Sequence, residues 1–187
     1  MRTLETDRLR IRAFVHEDGD VYARLIDAAF GADTSGSDEK RRVVFEYHVA
    51  ADPGLALLHQ TPYADRAVVK RSSNEIIGSV GYAACLMPFG QLPSFEKTPH
   101  FTNEVGLFWA LFPEHRGHGY ATEAAAAMVA YAFEQLRLRR IVATTEHDNA
   151  RSINVMRRLG MRLERNPNAE PAWFQTVGIL DNPSDVP

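Results

Sequence analysis

The sequence predicts a mixed α/β fold in which one central, mostly antiparallel sheet of about seven strands carries helices on both faces. Two observations predict this class. Short apolar runs of strand length alternate with longer segments of helical period. Two of the runs, 66–71 and 76–84, are separated by the turn sequence Ser-Ser-Asn-Glu and indicate a β-hairpin. No repeat, low-complexity tract or linker divides the 187 residues, so we expect a single domain over 1–187 with a mobile tail at 181–187.

The first half of the chain predicts a strand and two helices before the hairpin. Charged and apolar residues alternate over 8–14, which is typical of a half-buried strand. Apolar residues at helical spacing follow Asp18, the expected N-cap of the first helix. Ser37 is the expected cap of a second helix, from 38 to about 50. Four residues form the expected buried side of this second helix: Val43, Val44, Tyr47 and His48.

Two long connections are also predicted. Prolines and a glycine indicate a loop over 51–65, with at most a short helical turn near 55–59. Residues 86–102 contain three prolines and three phenylalanines without a clear period. A long connection inside a compact domain is often functional. The phenylalanines could therefore line a substrate pocket, or they could pack beneath their own loop.

The second half of the chain alternates strands with helices. Four runs predict strands: 103–111, 141–145, 161–164 and 172–180. An alanine-rich segment predicts a helix over 121–136, and apolar residues at helical spacing predict another that ends near Arg158. Asp148 or Asn149 is the expected N-cap of this last helix, and Gly160 is its expected C-terminal cap.

Composition and charge exclude several classes of function. The formal net charge is −3 and there is one cysteine, Cys85. No basic field indicates nucleic acid, no intramolecular disulfide can form, and no uncharged apolar run approaches the ~20 residues of a membrane helix. We therefore expect a soluble, cytoplasmic protein, a monomer or homodimer, that binds neither nucleic acid nor membrane. Cys85 is expected to be a packing residue.

The turn at 116–121, Arg-Gly-His-Gly-Tyr-Ala, leads into the alanine-rich helix. The first N–H groups of a helix have no partner within it, and the aligned peptide dipoles add partial positive charge there. Glycines let an anion approach this backbone closely. The turn therefore predicts a phosphate or pyrophosphate site.

Three other ligand motifs fit this turn poorly. It lacks the lysine and the following Ser/Thr of a nucleoside-triphosphate loop. It also lacks the third glycine of a dinucleotide fingerprint, and the strand at 141–145 does not end in an acidic residue. His115 and His118 have a spacing that metals use, but no further ligands lie nearby in the sequence, so we predict no metal site.

The chain resembles the GNAT family of acetyl-CoA-dependent N-acetyltransferases. The family signature, Arg/Gln-x-x-Gly-x-Gly/Ala, is matched by Arg116, Gly119 and Ala121. Further blocks are similar to the branch that contains the ribosomal-protein N-terminal acetyltransferases (RimJ/RimL-like). These blocks are Leu-Glu-Thr-Asp-Arg-Leu at 4–9, Ile-Gly-Ser at 77–79, Glu-Val-Gly-Leu-Phe-Trp at 104–109, Tyr-Ala-Thr-Glu-Ala at 120–124, and Asn149 and Ser152 with Leu-Gly-Met at 159–161. The resemblance is closest over 103–161 and extends over about 4–180.

The resemblance implies that acetyl-CoA binds along one strand and the turn that follows it. The implied pyrophosphate-binding residues are Arg116, Gly117, His118, Gly119, Tyr120 and Ala121. The implied pantetheine-binding residues are Trp109, Ala110, Leu111 and Phe112, where this strand and the next splay apart. A backbone N–H near Leu111 is expected to polarise the thioester carbonyl. The side chain of Arg116 could contact a phosphate, or it could form an ion pair on the surface.

The reaction that the resemblance implies is direct transfer of an acetyl group from sulfur to an amine. Glu104 is the expected general base, directly or through water, or else a salt-bridged carboxylate. Asn149 is expected to bind the pantetheine amides, or else to cap its helix. Ser152 could hydrogen-bond the leaving sulfur, or it could cap the first helical turn. Many members have a proton-donating tyrosine at the position of Met156, and methionine cannot take that role.

The acceptor is the least determined part of the expected function. The first candidate is a primary amine at a protein or peptide N-terminus, and the second is a small amine such as an amino acid, a polyamine or an aminoglycoside. The missing tyrosine motivates a third possibility, a CoA-binding sensor without catalysis. The presence of Glu104 and Ser152 opposes that third possibility.

Overall fold

The computed structural model describes residues 1–31, 37–168 and 170–185. The strands are β1 (Leu4–Glu5), β2 (Leu9–Ala13), β3 (Asp65–Lys70), β4 (Glu75–Met87), β5 (Thr102–Leu111), β6 (Arg140–Thr145), β7 (Arg162–Arg165) and β8 (Thr176–Asp181). The helices are α1 (Gly19–Phe30), α2 (Asp38–Leu57), α3 (Tyr120–Glu134) and α4 (Ala150–Arg158). The strands form one sheet in the order β1-β2-β3-β4-β5-β6-β8-β7.

The sheet is mixed, as the sequence predicts. Antiparallel pairings join β1 to β2, β2 to β3, β3 to β4, β6 to β8 and β7 to β8. β5 and β6 run parallel, with Gly106 opposite Val142. The fold class is confirmed, and the eighth strand is β1, whose Leu4 pairs with Ile11. A strand of two residues is too short for an alternating pattern to reveal it.

The chain divides into two compact units, and β4 and β5 contribute residues to both. The first unit is Met1–Tyr82 with Phe108–Met128, and the second is Ala83–Leu107 with Val129–Pro187. The single domain expected over 1–187 stays a prediction. Among the described residues, no helix has both the length and the apolar character that a membrane crossing needs.

The core of the first unit is aromatic. Phe14, Tyr22 and Phe45 are buried together with Ala67 and Val69 of β3. The ring of Phe14 meets the ring of Tyr22 edge-on at 5.3 Å and that of Phe45 at 5.9 Å, arrangements that aromatic pairs favour. This cluster joins α1 and α2 to β2 and β3.

The buried side expected for α2 is wrong for three of its four residues. Val43, Val44 and Tyr47 are exposed, whereas Phe45 is 5% exposed and Ala51 is also buried. Several apolar stripes are possible on this helix, and Phe45, its one aromatic side chain without a polar atom, takes the core position. His48 is half-buried. The capping role of Ser37 is confirmed, because its side chain accepts the N–H of Lys40.

The loop expected over 51–65 is also wrong in its first part, since α2 continues through Pro53 to Leu57. A proline inside a helix costs about 3 kcal/mol. Tertiary bonds offset this cost next to the proline. Asp52 accepts hydrogen bonds from Arg66 Nη1 at 2.8 Å and from the Met1 ammonium at 3.0 Å.

The core of the second unit contains two phenylalanines of the 86–102 connection. Phe89 is fully buried with Val142, Phe174 and Val177, and Phe95 packs against this cluster. The rings of Phe89 and Phe95 lie 4.9 Å apart. For these two residues the structure shows packing beneath the loop, the second of the two predicted alternatives.

The last strand begins later than predicted. Residues Ala172–Phe174 form a 3₁₀ turn, and β8 starts at Thr176. The N–H of Phe174 bonds to the oxygen of Pro171, so this turn replaces an extended backbone. The mobile tail expected at 181–187 stays a prediction; in that segment, Asp181 ends β8 and Asn182 is buried. Residues 186–187 lie outside the described residues.

Candidate functional site

The turn at 116–121 belongs to the first unit and has the backbone geometry that an anion site requires. Gly117 and Gly119 both have φ of 82°, a left-handed conformation that residues with a Cβ rarely adopt. α3 begins at Tyr120, directly after these glycines. The N–H of Glu123 bonds to the oxygen of Gly119 at 3.0 Å. The N–H groups of residues 120–122 precede it and therefore lack a partner within the helix.

Arg116 ties the turn to its surroundings through backbone oxygens. Its Nε donates to the oxygen of Leu111 at 3.0 Å, and its Nη2 donates to the oxygen of Ala28 at 3.3 Å. Within the described part of the chain it has no carboxylate partner, so the predicted surface ion pair is not formed there. The guanidinium therefore brings a positive charge to the turn that no carboxylate of the described residues offsets.

The N-terminal segment braces the same turn. Arg8 donates from Nη1 to the oxygen of His118 at 3.0 Å, and its guanidinium lies 4.6 Å from the ring centre of Tyr120. Its Nε donates to Glu123 Oε2 at 2.6 Å, while the Thr6 hydroxyl donates to Oε1 at 2.5 Å. Burial alone would raise the pKa of Glu123, but the bonds from Thr6 and Arg8 hold that pKa below its usual value.

Sequence reasoning missed this brace. The Thr-Asp-Arg sequence at 6–8 lies within a block that resembles the family, and the sequence predicts no contact or function for it. Arg8 and Glu123 are 115 positions apart, and no local pattern in one sequence pairs residues at that separation.

The predicted pantetheine segment packs tightly against β4. A Cβ at Gly78 would lie 2.2 Å from the oxygen of Ala110, so only glycine fits this approach, as the sequence indicated. Phe112 lies beyond the end of β5, and its N–H donates to the oxygen of Ile77 at 3.1 Å. N–H groups alternate between the two edges of an extended strand. The N–H groups of Leu111 and Trp109 therefore point away from β4.

Glu104 lies on β5 in the second unit, with its side chain 22% exposed. The nearest cation is Arg140, whose Nη1 lies 3.9 Å from Glu104 Oε1, beyond hydrogen-bonding distance. Burial raises the pKa of the Glu104 carboxyl above its usual value, although Arg140 and Arg139 oppose the rise. A half-buried carboxylate that is not locked in a tight salt bridge suits a proton acceptor.

Asn149 and Ser152 meet at the start of α4. Asn149 is the N-cap, and its Oδ1 accepts the N–H of Ser152 at 3.1 Å. The capping role predicted for Asn149 or Asp148 is thus taken by Asn149. The bond uses the carbonyl of the Asn149 side chain and leaves its NH₂ group as a donor. The Ser152 hydroxyl is half-buried and makes no hydrogen bond to the described residues.

Met156 is fully buried in the second unit. Its sulfur lies 3.1 Å from the position that a Cβ on Gly178 would occupy, and the sulfur of Met161 lies 2.8 Å from the same position. The position at which many family members have a tyrosine therefore holds a packing residue. Cys85, expected to be a packing residue, is half-buried against the core of this unit.

Comparison with known sequences finds a family model that covers most of the chain. Residues 8–162 match the family described as an acetyltransferase (GNAT) domain. The uncharacterized N-acetyltransferase YoaA of Bacillus subtilis (strain 168) is 29% identical over 164 residues, which cover 86% of this chain and 83% of YoaA. The uncharacterized N-acetyltransferase YnaD of the same strain is 38% identical over 80 residues, 43% of this chain and 45% of YnaD. The alignment with YnaD therefore spans less than half of either chain.

Solved structures share the fold. An acetyltransferase from Agrobacterium tumefaciens has a TM-score of 0.71 at 26% identity, with 96% of this chain and 94% of that chain covered. A ribosomal-protein-S5-alanine acetyltransferase from Vibrio fischeri has a TM-score of 0.70 at 18% identity and covers 100% of both chains. RimL, a ribosomal L7/L12 α-N-protein acetyltransferase in complex with coenzyme A, has a TM-score of 0.61 at 18% identity, with 95% and 96% covered. The last two similarities show the fold alone.

The family match includes β2 through α4 and hence the glycine turn, β5, Asn149 and Ser152. The matched curated relatives carry the same activity class in their names. The chain therefore belongs to the GNAT acetyltransferase family and is an N-acetyltransferase enzyme, and RimL is among its structural neighbours.

Proposed function

We propose that this enzyme transfers the acetyl group of acetyl-CoA to the primary amine of a protein or peptide N-terminus. The observation that carries the proposal is the turn at 116–121, in which two left-handed glycines precede the free N–H groups of α3. This geometry suits a pyrophosphate. The family signature falls on the same residues, and a structural neighbour, RimL, contains coenzyme A.

In the proposed complex, the backbone of residues 116–121 binds the pyrophosphate of CoA. Arg116 adds positive charge beside it. The pantetheine arm lies along Trp109, Ala110 and Leu111, with Phe112 contributing its side chain because its N–H is bonded to Ile77. Among the described residues, β5 and β6 share one register position, at Gly106 and Val142, which supports the splay that the family resemblance implies.

The proposed chemistry uses one proton acceptor and one hydrogen-bond donor. Glu104 takes a proton from the ammonium form of the acceptor, directly or through water, and the neutral amine attacks the thioester carbonyl. The N–H of Leu111, which points away from β4, stabilises the negative charge that develops on the carbonyl oxygen. The carbon–sulfur bond then breaks, the nitrogen of the new amide loses its second proton to solvent, and the Ser152 hydroxyl hydrogen-bonds the leaving thiolate. The NH₂ group of Asn149 donates to a pantetheine carbonyl.

Support for an N-terminal amine comes from two sources. The blocks at 4–9, 104–109 and 159–161 are similar to the branch that acetylates ribosomal-protein N-termini. A free α-amino group has a pKa of about 7.7–8.0, so it needs only modest help from a half-buried carboxylate. A small-molecule amine is the alternative acceptor and uses the same chemistry.

One observation favours a different function. The buried Met156 cannot donate a proton to the thiolate, and this favours a CoA-binding sensor without catalysis. The available hydroxyl of Ser152 and the raised pKa of Glu104 favour the enzyme.

The test is thiol release from acetyl-CoA in the presence of a panel of peptides with free N-termini, the same peptides with blocked N-termini, and small amines. We expect release with the free N-termini and none with the blocked ones. Thiol release with small amines but not with peptides would show that the acceptor is a small-molecule amine. Binding of acetyl-CoA without turnover on any acceptor would support the sensor, and absence of binding would refute the cofactor site.

A further inference from the structure

Arg140, on β6, is held in one orientation in the second unit. Its Nε donates to Asp181 Oδ1 at 2.9 Å, and its guanidinium lies 4.8 Å from the ring centre of Phe95. The other carboxylate oxygen of Asp181, Oδ2, lies 3.6 Å from Arg162 Nη1. The side chain of Arg140 is 17% exposed. A hydrogen bond to one side and an aromatic face on another leave the guanidinium little freedom.

The guanidinium lies close to Glu104 without binding it. The 3.9 Å between Arg140 Nη1 and Glu104 Oε1 is too long for a hydrogen bond but short enough for a substantial electrostatic interaction in a half-buried place. A tight bidentate pair would occupy the oxygens of the carboxylate. Among the described residues neither oxygen of Glu104 accepts a hydrogen bond, so both can accept a proton.

Three further ionisable residues interact electrostatically with Glu104. Arg139 precedes Arg140 in the chain, Asp181 lies on β8, and Cys85 lies on β4. Burial raises the pKa of Glu104, Arg140 and Arg139 lower it, and Asp181 raises it. Burial and the charge of Glu104 raise the pKa of the Cys85 thiol to about 11, so this thiol adds no charge at neutral pH. Arg140 is therefore the main group that favours a charged Glu104.

We infer that Arg140 is a positioning residue for the transfer reaction: its guanidinium, fixed by Asp181, favours the ionised form of Glu104 that accepts the amine proton. This inference rests on the proposed function, in which Glu104 is the general base. A merely structural Arg140 would join β6 to β8 and leave the ionisation of Glu104 unchanged.

The first experiment measures the ionisation of Glu104 without any turnover. The carboxyl carbon of Glu104 is followed by NMR during a pH titration and is assigned from its loss in Glu104→Gln. Removing a nearby cation destabilises the carboxylate, so we expect Arg140→Met to raise the pKa of Glu104 by about half a unit to one unit. Arg139→Met removes the same charge from an exposed neighbour, and we expect a smaller shift because solvent screens it.

Arg140→Lys guards against a folding artefact. It keeps the charge while losing the planar fork, so the pKa of Glu104 should return towards its wild-type value. An unchanged pKa in Arg140→Met, or shifts of equal size in Arg140→Met and Arg139→Met, would overturn the inference.

The second experiment follows the pH dependence of kcat/KM, whose acid limb reports the essential base of the free enzyme. In Arg140→Met the acid limb should move to higher pH by the same amount as the pKa of Glu104. The value of kcat/KM should fall roughly three- to tenfold at pH values below that pKa and should return to the wild-type value at higher pH. A loss of equal size at every pH would indicate a structural role and refute the inference. If the wild-type enzyme transferred no acetyl group, the proposed function would fail, while the NMR titration would still decide whether Arg140 controls Glu104.

Discussion

The glycine turn at 116–121 and the side-chain candidates Glu104, Asn149 and Ser152 are built in different ways. The turn depends on main-chain conformation, because its glycines have positive φ and its donors are backbone N–H groups. The three candidates depend on single side-chain atoms, and two of them also take part in helix capping. A binding site made of backbone should fail when its conformation is disturbed. A site made of side chains should fail when one functional group is removed.

The largest effect on activity is expected when the side chain of Glu104 is changed. Glu104→Gln keeps the size and polarity of the side chain but removes the proton acceptor. We expect kcat/KM to fall by about 100-fold, at the low end of general-base effects, because the amine needs only modest help. Thiol release measures the rate, and calorimetry measures acetyl-CoA affinity, which should not change. A fall of less than about threefold would exclude Glu104 as the base.

The second largest effect is expected in the glycine turn at 116–121, where the backbone binds the ligand. Gly119→Val places a β-branched residue at φ of 82°, which costs roughly 1–3 kcal/mol of strain. We expect CoA affinity to fall by about tenfold or more, because the turn relaxes away from the conformation that binds pyrophosphate. Calorimetric titration with CoA is the measurement.

Gly160→Val is the matched control for this substitution. Gly160 has φ of 78° and directly follows Leu159, the C-cap of α4, so the same side chain meets similar backbone strain away from the turn. Its unfolding temperature should drop while CoA affinity stays near that of the wild type. Equal CoA affinity in Gly119→Val and the wild type would refute the pyrophosphate site.

The glycine turn could be predicted from the sequence, because a site made of backbone depends on residue types that are adjacent in the chain. Two glycines before an alanine-rich helix indicate a turn and a helix start within six residues of one another. The hairpin of β3 and β4, the helix α3 and the C-terminal cap at Gly160 follow from equally local patterns, and the structure confirms them.

The parts that could not be predicted depend on contacts distant in sequence. Val43 and Phe45 are both apolar, and only packing against Phe14 and Tyr22 decides which of them faces the core. Arg8 and Glu123 form an ion pair over 115 positions. The distance between Arg140 and Glu104 likewise follows from the pairing of whole strands.

Asn149 offers a way to separate capping from cofactor binding. Asn149→Ser keeps an oxygen that can cap α4 but loses the NH₂ donor. We expect acetyl-CoA affinity to fall by roughly five- to tenfold, as for one lost hydrogen bond, with little change in thermal stability. Asn149→Ala should show the same loss of affinity and, in addition, about 1 kcal/mol of lost stability. If only Asn149→Ala differed from the wild type, and only in stability, Asn149 would be a cap and nothing more.

The smallest effect is expected at Ser152, where the structure allows the hydroxyl to be removed alone. The bond that Ser152 gives to Asn149 comes from its backbone N–H, so Ser152→Ala leaves the helix cap in place. A thiol has a pKa of about 8.5 and leaves readily as a thiolate, so we expect kcat to fall by only about three- to tenfold. The KM for acetyl-CoA and the unfolding temperature should stay unchanged, and Ser152→Thr, which restores a hydroxyl, should recover part of the rate. An unchanged kcat in Ser152→Ala would mean that the thiolate leaves without help from this residue, while the roles proposed for Glu104 and for the turn would stand.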